Sequence, residues 1–252
     1  MELYAQPFWA PKAGNSEVEY EDAFYPPHLI ETKTNSFRIA IADGATETSF
    51  AKLWAQLLVK AVGKGRLDPM CPTPTLAQLR SCWQRVVSRK SLPWYAEEKV
   101  RLGAFSAILG LSLSEDLTGR NWKACAIGDC CLFHVRGNNL LRSFPLAHSS
   151  EFNNRPHLIS SIPECAANPS PTFSTVTDEW CFEDHFFMMS DALASWFLQR
   201  YESGDSPWEL IQNLNTVDGP RDFQSWIADL RGSMLLKNDD VTLVSISIAQ
   251  DS

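Results

Sequence analysis

Apolar residues along this chain change their period several times, and each change marks an element. Phe37 to Ala42 (Phe-Arg-Ile-Ala-Ile-Ala) predicts a buried strand that runs into Asp43-Gly44. From Glu47 to Val62 the apolar residues Phe50, Leu53, Trp54, Leu57, Leu58, Ala61 and Val62 recur at helical spacing. Gly63 and Gly65 stop that helix, and Thr46 or Thr48 offers it an N-cap. A second helical pattern carries Leu76, Leu79, Trp83, Val86 and Val87, and Pro93 interrupts before a third from Trp94 to Val100. Strands are then predicted at Phe105 to Leu113 and at Trp122 to Ile127. The second of these ends at Gly128-Asp129, which reads as the turn of a hairpin. Leu132 to Val135 and Leu140 to Phe144 flank Gly137-Asn138-Asn139, a further hairpin turn.

From Pro145 to Thr177 the periodicity fades into Ser, Pro and Asn, which is long for a connection inside a domain and is typical of functional or mobile loops. His185 to Met189 then predicts a buried strand, followed at once by a helix with Leu193, Trp196, Phe197 and Tyr201. Helical segments cover Trp208 to Leu214 and Pro220 to Leu230, the latter opened by a proline suited to a first turn. The last strand sets Val241, Leu243, Ser245 and Ser247 against Thr242, Val244, Ile246 and Ile248. This order predicts an α/β layered sandwich (α-β-β-α), with two central, mostly antiparallel sheets flanked by helices. No repeat or linker divides it, so residues 1–252 are expected to form one domain.

Composition narrows the class. With 252 residues, 44% hydrophobic and 21% charged, the chain has ample material for a core. A net charge of −8 and a pI near 5.1 argue against a nucleic-acid partner, which needs an electropositive face. No stretch approaches a membrane span, and the first residues lack a signal-peptide pattern. The seven cysteines include no C-x-x-C pair, which fits reduced thiols in the cytoplasm. Cys130 and Cys131 are expected on opposite faces of a strand. A cytoplasmic monomer is the expectation.

Acidic motifs recur at the ends of the apolar runs: Glu21-Asp22, Asp43-Gly44, Ser190-Asp191 and Asp239-Asp240. Hard divalent cations are held by such oxygens, and strand ends are where distant parts of a chain converge. Each motif also has a plainer reading. Asp-Gly turns well, Asp191 suits a helix N-cap, and Glu21-Asp22, Asp129 and Asp239-Asp240 suit solvated turns. Both readings stand for each motif taken alone.

Taken in order, the motifs resemble those of the metal-dependent Ser/Thr protein phosphatases of type 2C. The match runs through Glu21-Asp22, Asp43-Gly44, Gly128-Asp129, Ser190-Asp191-Ala192 and Asp239-Asp240-Val241-Thr242, from about Ala13 to Ile248. The resemblance implies two Mn2+ or Mg2+ ions bridged by Asp43. The Gly44 carbonyl and Glu21 would serve one ion, Asp191 and Asp239 the other. Asp22 would orient the water that attacks phosphorus, and Asp129 would mark a weak third metal position. The implied substrate is a phosphoserine or phosphothreonine protein, with a catalytically weak binding module or a hydrolase of a small phosphorylated metabolite as alternatives.

Three positions depart from the family pattern. Glu17 stands where many members carry a phosphate-gripping Arg, leaving Lys12 as the nearby candidate cation, beside its plainer reading as a solvated lysine. Ala192 replaces the usual Gly after Asp191. Ser195 replaces an Asp expected to serve the third metal with Asp129. The segment from Pro145 to Thr177 falls where the family carries a flap beside the site, and His148, Arg155 and His157 lie in it, as candidate substrate contacts or as solvated loop residues.

Overall fold

A computed structural model describes residues 1–45, 50–91, 94–117, 119–152, 156–163, 171–214 and 218–250. The chain opens with strands β1 (Glu2–Ala10), β2 (Ala23–Tyr25), β3 (Ile30–Lys33) and β4 (Ser36–Gly44). Three helices follow: α1 (Ala51–Gly63), α2 (Thr73–Val87) and α3 (Trp94–Leu102). Next come β5 (Phe105–Asp116), β6 (Gly119–Ile127), β7 (Cys131–Arg136), β8 (Asn139–Phe144), β9 (Ile159–Ser160), β10 (Ser174–Glu179) and β11 (Asp184–Met189). Helices α4 (Asp191–Glu202), α5 (Pro207–Gln212) and α6 (Gly219–Gly232) precede the last strand, β12 (Val241–Ala249).

The strands form two sheets, ordered β3-β1-β12-β11-β7-β8 and β10-β6-β5-β4-β2, with β9 added beside β5. The described pairings are all antiparallel. Between the sheets lies a core of Leu109, Leu111, Leu113, Trp122, Phe186, Met188, Val244 and Ile246. The alternate residues of the same strands face outward. Phe187, Met189, Val241 and Leu243 pack against α4 to α6, and Ala40, Ala42 and Ile108 against α1 and α2. Central strands buried on both faces explain why the sequence shows continuous apolar runs there. Each large side chain so buried contributes roughly 1.5–3 kcal/mol. Cys130 and Cys131 fall in different cores, on opposite sides of their sheet. The architecture is the expected α-β-β-α sandwich.

The details amend several expectations. Gly128-Asp129 is not a hairpin turn, because β6 and β7 belong to different sheets. The segment crosses from one sheet to the other. Gly128 adopts a positive φ of 94°, and a Cβ there would stand 2.5 Å from the Cβ of Ala107. Both the turn and the close packing therefore require glycine. The region read as a flap contributes two strands, β9 and the edge strand β10, and a short 3-10 turn at Ser149–Glu151. Within it Arg155 lies outside the described residues. So do Thr46 and Thr48, and helix α1 is described from Ala51. β1 had no clear sequence signal; Gln6 and Pro7 interrupt its apolar pattern.

Candidate metal centre

Strand register brings the acidic motifs to one rim of the sandwich. Ala23 pairs with Ala42, so Glu21-Asp22 enters β2 beside the Asp43-Gly44 end of β4. Met189 pairs with Leu243, so Ser190-Asp191 leaves β11 beside the start of β12, which follows Asp239-Asp240. Cys131 pairs with Met189, which sets Asp129 next to the same strand end. Ala10 pairs with Val241, so the loop carrying Lys12 emerges there as well. Gly44 matters sterically. A Cβ on it would lie 2.7 Å from the Glu21 carbonyl oxygen, so only glycine allows the two motifs to approach this closely.

A hydrogen-bond frame fixes these loops. Asp240 accepts the backbone N–H of Lys12 at 2.7 Å with one oxygen and that of Glu21 at 2.6 Å with the other. Asn238 accepts the N–H of Ala13 at 2.8 Å. Arg231 donates to the carbonyls of Pro11 at 2.9 Å and Asp239 at 2.6 Å. Ser190 accepts the Thr242 N–H at 2.9 Å. The Thr242 hydroxyl donates to Asp22 Oδ2 at 2.7 Å, so the Tyr20 hydroxyl beside it must donate to Thr242 in turn. Tyr20, Thr242 and Asp22 thus form a directed buried chain that ends on a carboxylate. Asp22 Oδ1 is buried and has no hydrogen-bond partner among the described residues.

Electrostatics sets this rim apart. Burial pushes the Asp43 carboxyl well above the usual range, and repulsion from Asp22, Asp191, Asp129 and Asp239 adds to it. Asp22 is raised in the same way by burial, with Asp240 and Asp191 adding to it and the Thr242 hydrogen bond opposing. Burial and then Asp191 raise Asp129 to about 6. Five carboxylates within one another's field, one with an orphaned buried oxygen, present a hard all-oxygen donor set in which negative charge outnumbers positive. That chemistry fits a divalent cation of the Mg2+ or Mn2+ type. Among the described residues no three such groups yet converge on a common point at ligand distance.

The residues singled out from sequence meet different fates. Asp22, Asp43, Asp129, Asp191 and Asp239 share the rim, and Glu21 and Gly44 adjoin it. Asp191 is the first residue of α4, with Ser190 in the N-cap position, so it does not serve as the cap. A carboxylate in a first turn is also favoured by the helix dipole. Lys12 has its backbone tied to Asp240 but shows no side-chain ion pair among the described residues. Glu17 sits in an exposed 3-10 turn whose carbonyls at Glu17 and Val18 accept from Lys52. His148 faces Glu202 at 3.7 Å. That is the far end of α4, about 16 Å from Asp191 by helical rise, which places it away from the rim. His157 is exposed.

Four contributors escaped the sequence reading: Tyr20, Thr242 as the relay, Asp240 as a loop clamp, and Lys237. Lys237 pairs with Asp239 at 2.7 Å and Asp191 at 3.3 Å. It lines a cleft of about 140 Å³ with Asp129, Asp191, Ser195 and Gln199. Asp240 and Thr242 stood in the motif that opens the last strand, but nothing in the sequence assigned them these roles. Lys237 stood in no motif.

No protein-family model matches the sequence, and no curated protein matches it. Solved structures do. That of the Mycobacterium tuberculosis serine/threonine phosphatase PstP/Ppp matches with a TM-score of 0.59 and 15% identity, over 99% of this chain and 100% of that one. An S. agalactiae serine/threonine phosphatase matches with a TM-score of 0.58 and 14% identity, over 98% and 99%. The catalytic domain of PstP in complex with two manganese ions matches with a TM-score of 0.56 and 14% identity, over 98% and 100%. At such identities the shared property is the fold: this chain has the fold of the type 2C protein phosphatases.

Proposed function

We propose that this chain is a Mn2+- or Mg2+-dependent phosphoprotein phosphatase acting on phosphoserine or phosphothreonine. The observation that carries the reading is the gathering of Asp22, Asp43, Asp129, Asp191 and Asp239, from sequence-distant strand ends, at one rim of this fold. The two manganese ions of the matching PstP domain support it.

In this reading Asp43 would help hold both cations, Glu21 and the Gly44 carbonyl would serve one, and Asp191 and Asp239 would serve the other. What bound Mn2+ or Mg2+ supplies is Lewis acidity toward water and phosphoryl oxygens. The chain's own groups do the positioning. Asp22 is held through Oδ2 by the Tyr20–Thr242 relay, with the Ser190 hydroxyl also acting on its carboxylate, and Oδ1 would orient a water and take its proton. Asp240 draws the Glu21 and Lys12 loops to the rim together. Lys12 offers the phosphate a point charge from the loop beside Asp240. Asp129 marks a weak third position, since Ser195 beside it lacks a carboxylate. We further infer a cytoplasmic monomer that works as one catalytic domain, with the segment around residues 145–177 bordering the substrate.

The test is hydrolysis of a phosphopeptide and of an aryl phosphate, with Mn2+ and with chelator. Metal-dependent turnover that disappears in Asp43→Asn supports the reading. Turnover indifferent to metal, or unchanged in the variant, would sink it. Phosphopeptide binding without turnover would favour a binding module on the same fold.

A further inference from the structure

Among the described residues, the carboxylates of Asp191 and Asp239 already share one cation, the ammonium of Lys237. These are the two groups that the proposed function assigns to the second metal ion. Asp239 stands two residues from Lys237, whereas Asp191 reaches the same ammonium from another element, at the start of α4. Lys237 therefore joins the two halves of that site across the tertiary structure. Its side chain remains 60% exposed, so it is free to withdraw. The surroundings explain its placement. Asp22, Asp43 and Asp129 crowd the same rim, and a tethered positive charge offsets their repulsion without any dissolved ion.

We propose that Lys237 is a built-in counter-cation that occupies the Asp191–Asp239 half of the centre and competes with the second divalent ion. The inference rests on the proposed metal-dependent reading of this rim. A divalent ion entering that half must displace the ammonium from both carboxylates. The displaced ammonium stays at the cleft it lines with Asp129, Ser195 and Gln199. Among the described residues both ion pairs of Lys237 lie in the Asp191–Asp239 half, so the competition falls on that half rather than on the one at Asp43. The chain thus has one readily filled metal position and one whose filling depends on the free cation concentration. Two partly exposed ion pairs together correspond to about a tenfold weakening of the second position.

Titration calorimetry with MnCl2 on the metal-free full chain tests this directly, without reference to turnover. The wild type should show two classes of site. Lys237→Met should tighten the weaker class about tenfold and leave the tighter class unchanged. Lys237→Arg keeps the charge and should retain two unequal classes. The metal-free Lys237→Met protein should also melt lower than the wild type, because Asp191 and Asp239 then face each other without a cation. Two classes of unchanged affinity in Lys237→Met, or a weaker second class, would overturn the inference while leaving the metal-dependent reading intact. Absence of Mn2+ binding in wild type and variant alike would overturn both.

Discussion

Strand β11 opens with one aspartate and is followed, two residues beyond its far end, by another, and the two live in opposite surroundings. Asp184 is fully buried, yet every demand of its charge is met. Arg136 donates two hydrogen bonds at 2.7 and 2.9 Å, His134 one at 2.8 Å, and the Cys181 N–H one at 2.7 Å. Burial alone would raise its pKa, but the Arg136 and His134 bonds pull it well below the ordinary carboxylate range. About 20 Å away along the strand, Asp191 joins Asp22, Asp43, Asp129 and Asp239, where carboxylates outnumber cations. There Asp43 and Asp22 are raised rather than lowered. One end of the sheet spends its charge on a closed structural network; the other holds unbalanced charge, which is what a cation site requires.

Removing an aspartate at each end should therefore do opposite things, and this is the largest expected contrast. Asp43→Asn should cut metal-dependent turnover more than about 100-fold while raising the melting temperature of the metal-free protein, because one repelling charge is gone. Asp184→Asn should leave turnover per folded molecule unchanged and destabilise by about 3 kcal/mol, on the order of 10 °C, since Arg136 and His134 lose their shared acceptor. Calorimetry and phosphopeptide assays on the two variants check this, and a metal-free Asp43→Asn protein less stable than wild type would break the contrast.

A smaller effect is expected from Gly44→Ala. The new Cβ meets the Glu21 carbonyl at 2.7 Å and the Ala51 backbone at 3.2 Å, so the β2 and β4 motifs must part. Turnover should fall about tenfold with a loss of about 1–3 kcal/mol. Gly137→Ala, where nothing lies within 4 Å, should leave turnover unaltered, although its positive φ of 55° adds local strain.

The pH dependence should distinguish the two ends more gently. Asp129 has its folded pKa raised from 3.8 to about 6. The folded state then binds more protons than the unfolded one across that interval. This contribution is present below 3.8 and is lost as pH rises through about 6. Asp184 has a depressed pKa, so its contribution is present above the ordinary carboxylate value and is lost as pH falls below it. Metal-free protein should therefore melt lower at about pH 7 than at about pH 5, and saturating Mn2+ should abolish that fall. The smallest effect is expected from Lys12→Ala: kcat/KM down about threefold to tenfold with Mn2+ affinity unchanged, checked by steady-state kinetics beside calorimetry.

Much of this molecule was legible along the chain where signals are local. Strands β4, β5, β6, β11 and β12 announce themselves because they are buried on both faces, and helices α1, α2, α4 and α6 because one stripe of each is apolar. Of the edge strands, β8 was legible from its hairpin turn, and β2, β3 and β10 were not. β10 (Ser174–Glu179) buries little besides Val176, so no alternation marks it. In β1, Pro7 lies past the stretch that pairs with β3, where the missing N–H is tolerated but the sequence pattern is broken.

The sequence by itself determined which residues carry carboxylates and that they stand at the ends of buried strands, because burial writes a periodic pattern into neighbouring residues. Only the tertiary structure decided what those carboxylates do. Asp184 and Asp191 look alike on paper, and so do Asp239 and Asp240. Register and sheet order, which join residues as distant as Glu21 and Asp240, give Asp184 its donors, make Asp240 a clamp for two loops, and set Lys237 between Asp191 and Asp239. Charge acts through space over a few ångströms, and the sequence does not say which charges will be that close.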